Sequence, residues 1–151
     1  MSEAGVIEIL ARGVCVVGGS LLLCRTKGAS NTYLPGGHVE FGERAVDALT
    51  REIDEELGVG AKVGKFLGAV EHRFMQKGEQ HCEINLVFEM EIESLSSDEK
   101  PVAAEDYIEF EWCEMGAMAD ARVEPARLCD DLNLWLGSDG ASWASWEEES
   151  A

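Results

Sequence analysis

The sequence predicts an α/β domain in which a mixed β-sheet is sandwiched between helices. Three observations predict it. Segments rich in β-branched and other apolar residues recur at 6–17, 21–25, 63–74, 81–92 and 107–113. Two further segments, 45–57 and 125–136, carry apolar residues at spacings of three and four. Each of those helical patterns has one apolar stripe, and a stripe of that kind needs a sheet to cover.

In chain order, 6–17 reads as one extended segment, Gly18-Gly19-Ser20 as a turn, and 21–25 as the returning strand of a hairpin. A loop over 27–31 leads to a short extended stretch at 33–39 interrupted by Gly36 and Gly37. The helix over 45–57 places Val46, Leu49, Ile53 and Leu57 on its stripe, and Gly58 ends it. The strands at 63–74 and 81–92 form a hairpin about a turn at 76–79. The polar stretch 94–106, with Pro101, is a loop before the strand at 107–113. Pro125 fits the first turn of the second helix, whose Leu128, Leu132, Trp135 and Leu136 face the sheet. We read one domain over 1–137, followed by an acidic tail over 138–151 whose Trp143 and Trp146 leave it either frayed or docked.

Composition removes several functional classes. The net charge is −18, from 30 acidic against 12 basic residues, so the molecular field repels duplex nucleic acid and anionic membrane surfaces. A small anionic substrate is compatible with this field only where bound cations screen the site. No apolar run approaches the roughly 20 residues that span a bilayer, and the N-terminus lacks a basic leader, so the expectation is a cytoplasmic protein. Five cysteines, odd in number, scattered and never in a C-x-x-C pair, support neither a disulfide framework nor a zinc ribbon. His38 and His81 lack zinc-ligand spacing to any cysteine. The Trp-bearing C-terminus and an N-terminal edge strand suggest a homodimer.

The chemistry concentrates in one segment, GHVEFGERAVDALTREIDEELGV, over 37–59. Glu52, Glu55 and Glu56 fall on one helical face within about one turn. At ~5 Å and an effective dielectric near 20, each carboxylate pair costs roughly 3 kcal/mol unscreened. The macrodipole adds a few tenths to 1 kcal/mol for acids in the last helical turn. Stability alone does not select such a cluster. A divalent cation removes both penalties, and hard oxygen donors suit Mg²⁺ or Mn²⁺ rather than zinc. A solvated acidic face is the plainer alternative for the three glutamates taken alone.

Beyond them, the segment resembles the Nudix box, G-x5-E-x7-R-E-U-x-E-E-x-G-U with U aliphatic. Gly37, Glu43, Arg51, Glu52, Ile53, Glu55, Glu56, Gly58 and Val59 fill every specified position. The resemblance implies a Nudix-type αβα sandwich with a mixed β-sheet. It also implies metal-dependent hydrolysis of a phosphoanhydride bond in a nucleoside diphosphate linked to another moiety.

By the same resemblance Glu52, Glu55 and Glu56 are metal ligands, with Glu52 favoured as the base. The Gly36 carbonyl is a backbone ligand, or else part of a plain turn, and Gly37 lets the backbone approach closely. Arg51 and Glu43 brace the loop against the helix. Glu105, with Asp106 as its rival, supplies a further acid unless both are ordinary loop residues. Tyr33 and Phe74 are candidates for stacking a base and Arg73 for touching phosphate, each set against plain sheet packing. The marks of two substrate classes, a proline for ADP-ribose hydrolases and a tyrosine for diadenosine polyphosphate hydrolases, are missing where Arg73-Phe74-Met75-Gln76 stands. Two non-hydrolytic alternatives remain: a nucleotide-binding module, and an isomerase, which would need a catalytic cysteine near the site, where the sequence places neither Cys24 nor Cys82.

Overall fold

The computed structural model describes residues 5–146. The last five residues of the expected acidic tail lie outside the described residues. Ten regular elements follow in chain order: β1 (Ile7–Val14), β2 (Val16–Val17), β3 (Ser20–Thr26), β4 (Gly36–His38), α1 (Ala45–Leu57), β5 (Lys62–Gln76), β6 (Glu79–Glu91), β7 (Ile108–Glu114), α2 (Arg127–Leu136) and β8 (Ser142–Ala144).

They build a five-stranded sheet in the order β4-β1-β6-β5-β8 and a three-stranded sheet in the order β2-β3-β7. The larger sheet is mixed, because β1 runs parallel to β6 and β8 parallel to β5, while the other pairs are antiparallel. The two helices cover different cores. Leu49, Ile53 and Leu57 of α1 pack with Ala11 and Phe88. Leu128, Leu132 and Trp135 of α2 pack with Val14 and Val87. Because Ala11 and Phe88 alternate with Val14 and Val87 along β1 and β6, the helices lie on opposite faces of the larger sheet.

The expected single strand over 6–17 is divided. β1 joins the larger sheet, β2 joins the smaller one, and the chain crosses between them at Cys15, whose carbonyl accepts from Leu22 N–H at 2.9 Å. Alternation of apolar residues marks each strand but carries no sign of a strand changing sheets, which is why the smaller sheet was not foreseen. Val46 leaves the expected stripe and is 43% exposed, while Ala48 is fully buried in its stead. α2 begins at Arg127, two residues after Pro125, whose carbonyl accepts from Leu128 N–H. Residues 142–144, expected within the tail, form β8 on the edge of β5. Gly68 makes that approach feasible, since a Cβ there would lie 2.6 Å from the Ser142 carbonyl oxygen. All five cysteines are free thiols. No helix among the described residues is long and apolar enough to cross a membrane.

Candidate active site

α1 delivers the acidic cluster. The helix is stopped by Gly58, which adopts φ 68° and donates its N–H to Asp54 O at 2.8 Å, so Glu52, Glu55 and Glu56 stand in its final turns. The burial of the stripe decides where they point. Leu49, Ile53 and Leu57 face the core, which brings Glu56 inside with them at 8% exposure and leaves Glu55 exposed.

Glu56 is the unusual group. Its Oε2 is buried with no hydrogen-bond partner among the described residues. Burial pushes its carboxyl up to about 8, repulsion from Glu52 adds to this, and the Arg12 charge and the Gly36 backbone pull the other way. A buried carboxylate oxygen without a hydrogen-bond donor is costly unless a cation or a proton satisfies it.

Arg51 organises the rest. Its Nε and Nη2 grip both oxygens of Glu43 at 2.8 and 3.0 Å, and Nη2 also donates to the His38 carbonyl at 3.1 Å. Nη1 reaches Glu52 at 3.0 Å and Glu55 at 3.4 Å. These bonds to Glu43 hold the Glu43 carboxyl below, and the Arg51 guanidinium above, their usual ranges. The expected brace between loop and helix is thus a bidentate pair with 28% and 19% side-chain exposure, more enclosed than a surface pair.

β4 forms the opposite wall. Gly37 leaves room for the Glu52 carboxyl, because a Cβ there would lie 2.5 Å from Glu52 Cδ. Gly36, at φ 139°, sits so close to β1 that a Cβ would fall 2.0 Å from the Ala11 carbonyl oxygen. It is the Gly36 amide side that touches Glu56. Glu105 arrives from the loop before β7: Ala104 N–H donates to the Glu56 carbonyl at 2.7 Å, and the Glu105 charge acts on the Glu56 carboxyl.

Among the described residues no three carboxylate, imidazole or thiol groups already enclose one point as a finished metal cage. The donors nonetheless fit a hard divalent cation. A buried, unpartnered Glu56 oxygen lies against Glu52, and Glu55, 48% exposed on its side chain, can swing from Arg51 at little cost.

Beside this cluster runs a cleft of about 290 Å³ lined by Arg12, Tyr33, His72, Phe74, Glu83 and Asn85, among others. Tyr33 and Phe74, foreseen from the sequence, both border it. Arg73 does not, since it projects from the other side of β5 and its guanidinium lies 5.0 Å over the Trp146 ring, in an adjoining cavity of about 320 Å³. His72 belongs to the stretch 71–74 expected to line a pocket, and it borders the cleft, whereas Arg12 and Asn85 were missed. The only available signal was a cation or amide in the middle of an otherwise apolar strand, as in Ile9-Leu10-Ala11-Arg12-Gly13-Val14. Burial, with the Arg12 charge, lowers the pKa of His72, which keeps its imidazole neutral. A larger cavity of about 610 Å³ lies where β1 and β2 meet the end of β6, away from the box, and its Glu89, Glu91 and Glu93 disfavour an anionic ligand.

An α/β fold with a helix on each face of its larger sheet, whose Arg–Glu brace holds a helix of acids against a glycine-walled turn, defines a class, and comparison with known proteins agrees with it. The family model described as NUDIX domain matches residues 8–131. The chain belongs to the NUDIX family. Its fold is similar to that of a MutT protein from Methanosarcina mazei Go1, at a TM-score of 0.68 and 22% identity, covering 90% of this chain and 97% of that one. A UDP-X diphosphatase follows at 0.65 and 19% identity, covering 95% and 69%. An ADP-ribose pyrophosphatase from Streptococcus suis 89-1591 reaches 0.63 at 11% identity, covering 91% and 98%.

Proposed function

We propose that this chain hydrolyses a phosphoanhydride bond in a nucleoside diphosphate linked to another moiety, using Mg²⁺ or Mn²⁺. The observation that carries the reading is the buried, unpartnered Glu56 oxygen set against Glu52. Glu56, Glu52 and Glu55 are the side-chain ligands in this reading, with Glu105 and the Gly36 backbone as further donors. A bound divalent ion supplies charge neutralisation on the phosphates and a water of lowered pKa.

Glu52 accepts the proton of the attacking water. The new P–O bond forms as the bond to the leaving phosphate breaks in line. Arg51 keeps Glu52 in place through its 3.0 Å bond, and Glu43 fixes Arg51 in turn. Tyr33 and Phe74 border the cleft that takes the nucleoside, the Phe74 ring already stacked on His72 and His81 and the Tyr33 ring carrying the Arg12 guanidinium, and Gly37 leaves room for the Glu52 carboxyl at the wall. The named activities of the UDP-X diphosphatase and the ADP-ribose pyrophosphatase fit a substrate of this kind.

The isomerase alternative requires a reactive thiolate. Cys24 is next to the site, but burial pushes its thiol up to about 12 and leaves it inert, while Cys82 lies by Val6 and Ile7.

The test is phosphate release from nucleoside triphosphates, dinucleotides and nucleotide sugars with Mg²⁺ or Mn²⁺, repeated on Glu56→Gln. Turnover of at least one substrate, reduced at least ~100-fold in the folded variant, is expected. A wild-type protein inert toward the whole panel contradicts the hydrolase reading.

A further inference from the structure

Arg12 stands apart from four other arginines. Arg25, Arg44, Arg51 and Arg127 each pair with a carboxylate. Arg12, in a protein of net charge −18, instead donates its Nε to the Asn85 side-chain oxygen at 3.3 Å and its Nη1 to the Leu34 carbonyl at 3.0 Å. Its guanidinium also lies 5.3 Å over the Tyr33 ring. Asn85 is only 2% exposed and itself donates toward Glu83, so the anchor is rigid. These neutral contacts orient the guanidinium without cancelling its charge.

Arg12 is also the only arginine or lysine among the described residues lining the cleft, and it stands between that cleft and the carboxylates of α1. We infer that Arg12 binds the phosphate attached to the nucleoside, so that the cleft accepts nucleotides and rejects the corresponding nucleosides. Held by Nε and Nη1, the guanidinium keeps Nη2 to donate to a phosphate oxygen at the mouth of the cleft. The lining carboxylates Glu83 and Glu124 meanwhile oppose a phosphate beside them, which sets the orientation with the uncharged nucleoside along that wall and the phosphates toward Arg12 and α1. This inference rests on the cleft being the substrate site of the proposed hydrolase.

Its test compares binding of AMP, GMP, CMP and UMP, none of which contains a phosphoanhydride, with binding of adenosine, guanosine, cytidine and uridine in Mg²⁺. The proteins are wild type, Arg12→Gln and Arg12→Lys. Wild type is expected to favour at least one monophosphate over its nucleoside. In Arg12→Gln that preference falls roughly 10- to 100-fold, the size of a charge-assisted hydrogen bond. Nucleoside affinity, measured in each protein, is the reference against which the preference is read.

Arg12→Lys retains part of the preference, and it decides the matter if the Gln variant fails to fold. Wild type binding none of the monophosphates, or an Arg12→Gln protein that keeps the full preference, overturns the inference. The two readings fail separately: a wild type that turns over substrate while Arg12→Gln retains the preference sinks only the role of Arg12. Monophosphate selectivity lost with Arg12 in a protein that hydrolyses nothing sinks only the hydrolase.

Discussion

A single carboxyl, Glu56, determines much of how this protein responds to pH and metal. Its pKa rises from an ordinary carboxyl value to about 8 in the folded protein, so the native state holds a proton that the unfolded chain releases. The stability this proton confers is fully present below about pH 4.5 and is lost as pH rises through 8. The groups facing Glu56 are Glu52 on its own helix, Glu105 on the loop before β7, and Arg12 on β1. Urea denaturation across pH 5–9 is therefore expected to show a decline in wild type that is absent in Glu56→Gln; equal slopes would remove Glu56 from this role. Arg51 gives a second prediction at the same scale. Arg51→Ala releases Glu43, Glu52 and Glu55 together, and a melting temperature lower by about 2–8 °C in the metal-free protein is expected, partly restored by Mg²⁺.

Among the elements, β4 holds two adjacent glycines with opposite consequences. In Gly37→Ala the new methyl meets the end of the flexible Glu52 side chain, which can move aside. A melting temperature within about 3 °C of wild type but turnover down roughly 10- to 100-fold is expected, as displaced ligand carboxylates lose their geometry. In Gly36→Ala the methyl meets the Ala11 backbone at a φ of 139°, so destabilisation by at least about 2–3 kcal/mol is expected. Equal stability of the two variants in thermal melts would contradict this division. Both glycines were readable as points of close approach, yet what each approaches is a tertiary contact that no local pattern specifies. The same limit explains the rest. The helix over 45–57 was legible to the residue because its spacing and its glycine stop are local signals, and the β5–β6 hairpin because its turn is local. The crossing at Cys15, the exposure of Val46, the docking of β8 and the inward aim of Arg12 all depend on which distant strand lies alongside. Glu55 and Glu56 are neighbours in sequence with opposite burial, and only the packing of Leu57 and Ile53 separates them.

At the scale of the whole molecule, a charge of −18 draws cations to the surface and repels anionic substrates, so the metal and Arg12 must supply the local positive field. Raising monovalent salt from about 0.01 to 0.15 M, which shortens the screening length from roughly 30 to 8 Å, is expected to weaken Mn²⁺ uptake several-fold. An affinity independent of salt would show that the net charge contributes nothing. The central claim, that a divalent ion takes the place of the proton on a buried Glu56, is tested most directly by calorimetry of Mn²⁺ binding at pH 7 in buffers of differing ionisation enthalpy. With the carboxyl pushed up to about 8, wild type is expected to release close to one proton on metal uptake, and Glu56→Gln none. Metal uptake without proton release, or the same release from both proteins, would contradict the account.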